Sequence, residues 1–578
     1  MTNTRRTLAA ALLLLLVLTI GWWSARRRDR GATAAVAPGR GGSIIASMRS
    51  DARSYDRYVE KSAGTDLVTL LTQAPLVRVN RATDELEPWL AERWTTSADG
   101  RTYTLTLRSM TFSDGAPFTS ADVLFAFEAI YDERVKSPLK SALEVDAQPL
   151  QVSAPDASTV VITFPAPFGP GLRILDNLPI LPKHKLQAAL AAGTLAESWT
   201  PGQPLDTVAG LGPFVLREHA SGERLEFVRN PHYFRRDAKG TPLPYLDALT
   251  LVIAADQTTE SLRLQGGEID LMANGEVRAQ DYPAFKQLES QGRIRLHDVG
   301  IGLDPDALWF NLSPGGRPTP GRTLLANKSF RQAISYGVDR QVLVDTVYLG
   351  AAVPIFGPIT PGNRRWYVEG TPAPVHDAAR ARALLDGLNL KDRDGDGLRE
   401  AADQTPVRFS MLTQAGHVRG RTAEALEAQL TALGIGVDLV KLDTTGIIRR
   451  FSTGDYDSIY YGTQASSTDP AMNLDFWLSR GDSHLWNPAQ PAPATQWERR
   501  IDELMAEQVH ALEPGTRRGL LAQVQQILGD ELPAIYFVAP RVRVATSARV
   551  LNPSPVAQLP QLLWSADTLA VAPGVPPR

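Results

Sequence analysis

Residues 422–440 read TAEALEAQLTALGIGVDLV. Thr422–Leu433 is built of Ala, Leu, Glu and Gln, all good helix formers. Gly434 is placed to end that helix, because glycine alone enters the left-handed conformation without a Cβ penalty. Ile435–Val440 (IGVDLV) then reads as a strand. Helix, glycine, strand is the connection of an α/β layer.

The segments around this stretch alternate in the same way. On the C-terminal side, 497–511 and 514–528 are predicted helices and Ile535–Val538 (IYFV) a buried strand. On the N-terminal side, Ser329 and Gln332 are spaced to cap a helix running through Arg340. Arg101–Arg108 (RTYTLTLR) sets Tyr103, Leu105 and Leu107 against threonines, the period of a half-buried strand. Asp99-Gly100 and Asp114-Gly115 are turn dipeptides. Thr119 and Asp122 have capping-box spacing before a helix with Val123, Phe127 and Ile130 on one face. The class is therefore α/β or α+β with mixed sheets. No internal repeat is visible, and the low-complexity tract is the Ala/Gly/Arg-rich linker of residues 31–42.

The chain has 578 residues, enough for roughly three or four domain-sized units. A formal charge of −3 offers no polyanion-binding excess, so a nucleic-acid partner is not expected. Cysteine is absent, which excludes disulfides, thiol nucleophiles, iron–sulfur clusters and a lipid-acylated cysteine.

Leu8–Trp23 is 16 residues without a charge, preceded by Arg5 and Arg6. As a helix it spans about 24 Å, short for a hydrocarbon core of about 30 Å, and fits a signal peptide. Arg26, Arg27, Arg28 and Arg30 follow directly and oppose translocation. Residues 1–37 are thus read as a cleaved export signal or as an uncleaved membrane anchor with its linker. Removing them takes away six arginines and one aspartate and leaves a formal charge of −8.

Catalytic motifs are missing: there is no P-loop, dinucleotide fingerprint, HExxH or nucleophile elbow. None of the eight histidines pairs at metal-ligand spacing. One stretch stands apart. From Asp392 to Asp403, acids occupy loop positions 1, 3 and 5 (Asp392, Asp394, Asp396), glycine position 6, and acids positions 9 and 12 (Glu400, Asp403). Leu398 at position 7 would offer its carbonyl. Calcium needs six to eight hard oxygens, and this spacing folds them around one point. The Asp at position 12 is shorter than the usual bidentate Glu. The expectation is a structural calcium, with a solvated acidic turn as the alternative; no other cofactor is expected.

Several runs carry a family resemblance. They are Pro88-Trp89-Leu90-Ala91-Glu92-Arg93-Trp94, Asp99–Tyr103, Phe112-Ser113-Asp114-Gly115 and Thr119–Val123. Gly210-Leu211-Gly212-Pro213-Phe214, Asn230-Pro231-His232-Tyr233, Gly267-Glu268-Ile269-Asp270 and Phe330–Arg340 follow. Over roughly residues 40–570 the chain resembles family 5 bacterial extracellular solute-binding proteins, the peptide and nickel receptors of ABC importers. The resemblance implies a two-lobed periplasmic binding protein of type II with an extra domain. Lobe I would comprise 40–78, 200–300 and 525–575, the extra domain 79–199, and lobe II 301–524. It also implies a small solute or peptide ligand held between closing lobes, a permease in the inner membrane, an extracytoplasmic monomer and no enzymatic activity. A membrane-tethered sensor or chaperone on the same scaffold is the alternative, with an extracellular hydrolase behind it.

By the same resemblance, ligand contacts fall on Thr72–Ala74 (Thr72 and Gln73 first), Trp309–Asn311 and Tyr460–Asp469. Tyr460, Tyr461, Thr463, Ser466, Asp469 and Trp486 are the named residues of the last region. In peptide-binding relatives this run resembles Gly-Trp-x-x-Asp-x-x-Asp/Glu-Pro, whose first Asp pairs with the peptide's ammonium. Here that position is Ser466 and the tryptophan position is Thr463. A free peptide N-terminus would forgo a charge-assisted hydrogen bond of about 1.5–3 kcal/mol. Trp89, Trp94 and Phe112 are expected in the core.

Overall fold

A computed structural model describes residues 39–315, 318–370, 372–463 and 469–572. The export or anchor reading of the N-terminal segment and the expectation for Ser466 lie outside them. Among the described residues no helix is long and apolar enough to cross a membrane.

Ser43–Met48 (SIIASM) sits inside an eight-stranded sheet. It runs parallel to Ala248–Ile253 on one side and Leu271–Met272 on the other. Ile44, Ala46 and Met48 enter the largest core while Ile45 packs on a second cluster, so both faces are covered. That is why this strand is a near-continuous apolar run rather than an alternating one. Phe214–Ala220 and Arg224–Arg229 extend the sheet antiparallel at one side; Val538–Ser547 and Ile294–Ile301 do so at the other.

The second lobe is a five-stranded mixed sheet in the order Gly436–Leu442, Arg408–Gln414, Ser458–Tyr461, Ala307–Phe310, Ala534–Tyr536. The first three are mutually parallel, and Ala307–Phe310 is antiparallel to both neighbours. The helix His417–Thr431 is the crossover between two parallel strands, as the helix–Gly–strand reading expects. Gly434 has φ +80°, and the Ile435 N–H returns to the Leu430 carbonyl at 3.1 Å. The helix begins five residues before Thr422, whose hydroxyl donates to the Val418 carbonyl in mid-helix.

The extra domain is an antiparallel sheet of Ala91–Thr96, Thr102–Leu107, Thr159–Thr163 and Gln151–Asp156. Its helix Ser120–Tyr131 is capped as expected, with Asp122 accepting the Thr119 N–H at 2.9 Å. Leu105, Val160 and Phe125 share one core with Ile44 and Leu249, so this domain and the first lobe are packed as a unit.

Three sequence readings are corrected. The cap before Phe330 is Asn327, whose side chain accepts the Ser329 N–H at 2.9 Å. That helix ends at Gly337, where a Cβ would lie 2.1 Å from Leu433; Asp339 caps a separate helix, Arg340–Thr346. The run Ile535–Val538 is not one strand. Ala534–Tyr536 pairs in the five-stranded sheet, and Val538–Ser547 pairs in the eight-stranded one. The return to the first lobe therefore falls at Phe537. The boundary at 524/525 would have cut the continuous helix Pro514–Glu531. Residues 302–306 carry the chain from the eight-stranded sheet into the five-stranded one, and Ala352–Pro354 returns to pair with Val538–Pro540 in the first.

Candidate functional site

The helix Ala63–Thr72 starts where the Ser62 hydroxyl accepts the Thr65 N–H, and it stops as Gln73 turns extended. Leu67 and Leu71 anchor it in the core. Gly210 and Gly212 press on its end: a Cβ at Gly210 would sit 1.9 Å from the Thr72 carbonyl oxygen, and one at Gly212 2.5 Å from the Thr72 carbonyl carbon. The Gly-Leu-Gly-Pro motif is thus required by backbone contact. Its effect is to seat Gln73. The Gln73 amide nitrogen donates to the Ala209 carbonyl at 3.3 Å, while its buried Oε1 has no partner among the described residues.

Gln73 lines a cavity of about 640 Å³. One wall comes from this helix, with Arg57 and Lys61 before it. A second comes from the hairpin Val77–Asn80/Glu85–Pro88 and Trp89, a third from the 558–567 segment. The Arg78 guanidinium lies 3.8 Å from the Trp89 ring and 5.1 Å from Trp564, and donates to Glu87 at 2.9 Å. Burial alone would raise the Glu87 carboxyl. Hydrogen bonds from Asn80 and Arg78 outweigh it and hold the carboxyl below its usual range. Asp176 is raised by burial despite accepting the Val79 N–H at 2.7 Å and facing Arg81. Asp567 is engaged by the Tyr233 hydroxyl at 3.0 Å and by Arg235.

A small adjoining void of about 30 Å³ shares Val79, Arg81, Asp176, Asn177 and Gln558, and adds Asp469 and Met472 from the second lobe. The cavity therefore abuts the junction of the lobes. Elsewhere along that junction Arg365 pairs with Asp84 at 3.0 Å, and Gly169 donates to the Val509 carbonyl at 2.6 Å.

Of the residues singled out from sequence, Gln73 lines this cavity. Thr72 is buried behind it, its hydroxyl bonded to the Val68 carbonyl. Trp309 is in the second lobe's core, stacked 5.9 Å from Trp486 with its N–H on the Tyr461 carbonyl. Trp486 is buried and donates to Glu498. Asn311 is buried and bonded to the Gly454 and Tyr456 carbonyls; Tyr460 is buried too. Tyr461 packs under Arg419 at 4.4 Å, and the Thr463 hydroxyl donates to the Ser483 carbonyl. Asp469 caps the turn Pro470–Met472 and forms a two-pronged ion pair with Arg517. These groups have protein partners and lie off the cavity wall, Asp469 alone reaching the adjoining void. Trp89 is in the core as expected, 7% exposed, and also reaches the cavity wall. Arg57, Lys61, Arg78, Arg81 and Trp564 carry no local signature in the sequence; four of them are surface-type cations until the fold gathers them.

In the acidic loop, Asp392, Asp394, Asp396 and Glu400 bring carboxylate oxygens within 4.8 Å of one another. Gly395 and Gly397, at φ +84° and +91°, allow the turn. Asp403 stands apart from this group and accepts the Thr405 N–H. Leu398 donates its N–H to Asp396.

Residues 85–484 match the family of bacterial extracellular solute-binding proteins, family 5 Middle. The chain is 24% identical over 532 residues to a probable ABC transporter-binding protein of Deinococcus radiodurans, covering 88% of this chain and 89% of that one. It is 25% identical over 521 residues to the probable D,D-dipeptide-binding periplasmic protein DdpA of Escherichia coli, covering 88% and 90%. The oligopeptide-binding protein AppA of Bacillus subtilis, solved with a nonapeptide, superposes with a TM-score of 0.69 at 20% identity, covering 93% and 100%.

Proposed function

The chain belongs to the family 5 bacterial extracellular solute-binding proteins, and on that premise we propose that it captures a peptide or peptide-like solute outside the cytoplasm and hands it to the permease of an ABC importer. The observation that carries this is the 640 Å³ cavity abutting the lobe junction, a volume suited to a ligand of this size. A solute touching both lobes is bound better by the closed arrangement and shifts the population toward it. The crossings at 302–306 and Phe537, with those flanking Ala352–Pro354, are the segments about which that closure would turn. The role is binding rather than catalysis, and the working unit is a monomer. Leu8–Trp23 would export the chain or hold it at the membrane.

The relatives' names favour a peptide. A calcium ion on Asp392, Asp394, Asp396 and Glu400 would brace the second lobe; the donor set is all hard oxygen, as calcium requires. The test is native mass spectrometry of protein purified from its own host, with release and identification of the bound solute. Short peptides would support the reading. An empty protein that binds no peptide pool would overturn it.

A further inference from the structure

The cavity wall is unevenly charged. Five cations, Arg49, Arg57, Lys61, Arg78 and Arg81, face three carboxylates, Asp66, Asp176 and Asp567. Asp567 is already held by Arg235 and Tyr233, and so offers little to the other cations. Arg49, Arg57 and Arg78 have carboxylate partners in Glu260, Asp66 and Glu87. Lys61 and Arg81 form no ion pair among the described residues, and Arg81 donates to the Leu559 carbonyl. Burial lowers the Arg81 pKa; Asp176 opposes this, while the like charges of Arg78 and Arg57 add to it. Three guanidiniums thus crowd one wall, with Asp66, Glu87 and Asp176 as their carboxylate neighbours and Lys61 unpaired beside them among the described residues. Among the described residues the Arg78 Nε is buried without a hydrogen-bond partner, as is the Gln73 Oε1. Gln73 is 4% exposed, so its orphaned acceptor is not served by bulk water. Such atoms normally have partners.

We propose that the solute of this cavity is an anion, its carboxylate or phosphate held by Lys61 and the Arg57–Arg78–Arg81 cluster. This rests on the receptor reading and specifies its ligand. Guanidinium forks match carboxylate and phosphate oxygens two at a time. The Trp89 and Trp564 rings hold Arg78 in place, so little side-chain freedom is lost on binding.

The test compares N-acetyl-tetraalanine as its free acid with the same peptide as its C-terminal amide, with inorganic phosphate as a third probe. Titration calorimetry and melting temperature are read at constant ionic strength. The acid should bind at least tenfold more tightly than the amide. Arg81→Gln should weaken binding of the acid and so remove that difference. Phosphate competing with the acid would indicate a general oxyanion site; failure to compete would restrict it to carboxylates. Lys61→Gln, at an exposed position, should reduce the preference without a folding defect. Equal binding of acid and amide, no stabilisation by any anion, or a preference that survives both variants would overturn the assignment. A neutral or cationic solute found bound to the native protein would overturn it too, while leaving the receptor reading intact.

Discussion

Asp469 and Arg517 form the most deeply buried ion pair of the second lobe, with side chains 2% and 5% exposed. One guanidinium nitrogen lies 2.7 Å from Asp469 Oδ2, and the other bonds Oδ1. Arg517 also donates to the Gln508 carbonyl at 3.2 Å and lies 4.9 Å from the Trp366 ring. Asp469 accepts the Ala471 N–H at 3.1 Å. Arg517→Met keeps the stem's volume and leaves a carboxylate buried without its cation. Breaking such a pair costs about 3–5 kcal/mol. Asp469→Asn preserves the turn cap and strands the guanidinium at a similar cost. The double variant strands neither charge, so it should lose less than the about 3–5 kcal/mol of either single, well short of the roughly 6–10 of the two added. Urea unfolding of ligand-free protein, followed by tryptophan fluorescence, measures all four corners. A double variant losing the full sum, or an Arg517→Met variant within about 1 kcal/mol of wild type, would refute a desolvated, coupled pair.

Three further outcomes follow from the same geometry. Burial pushes the Asp56 carboxyl up to about 7, the Tyr58 N–H pulling the other way, and its Oδ2 has no partner among the described residues. A raised carboxyl favours a protonated native state, so stability declines as pH climbs from about 4 to about 7 and levels off above. Asp56→Asn should exceed wild type by up to ~4 kcal/mol at pH 8 and match it near pH 4; parallel pH–stability curves would contradict this. Gly212→Ala drives a Cβ to 2.6 Å from the Leu71 carbonyl oxygen, so about 1–3 kcal/mol of stability should go, together with affinity for the co-purifying solute as Gln73 shifts. Calcium should raise the melting temperature reversibly with chelator, and Asp394→Asn should abolish that shift; a calcium response unchanged in the variant would place the ion elsewhere.

Much of the architecture is readable in the chain because it is written in local physics. Gly434 ends a helix because a left-handed residue is needed there, and the Thr119/Asp122 box caps one because both groups lie within four residues. Alternation in Arg101–Arg108 marks a strand with one wet face. The ordered motifs add the family, since Gly210 and Gly212 are demanded by backbone approach to Thr72.

What tertiary structure decided is long-range. Whether a core aromatic also reaches a cavity depends on what packs on its second face: Trp309 is covered by Trp486 and Phe476, whereas Trp89 packs on Phe234 and presents its face to two arginines. Ile535–Val538 looks like one strand because all four residues are buried and apolar. Only the partner strands reveal that Tyr536 and Val538 belong to different sheets. The cationic wall joins Arg57, Arg78 and Arg81 to Trp564, nearly five hundred residues away in sequence. Charge and hydropathy along a chain report how wet a residue is on average; which residues share a cavity is set by sheet order and crossovers.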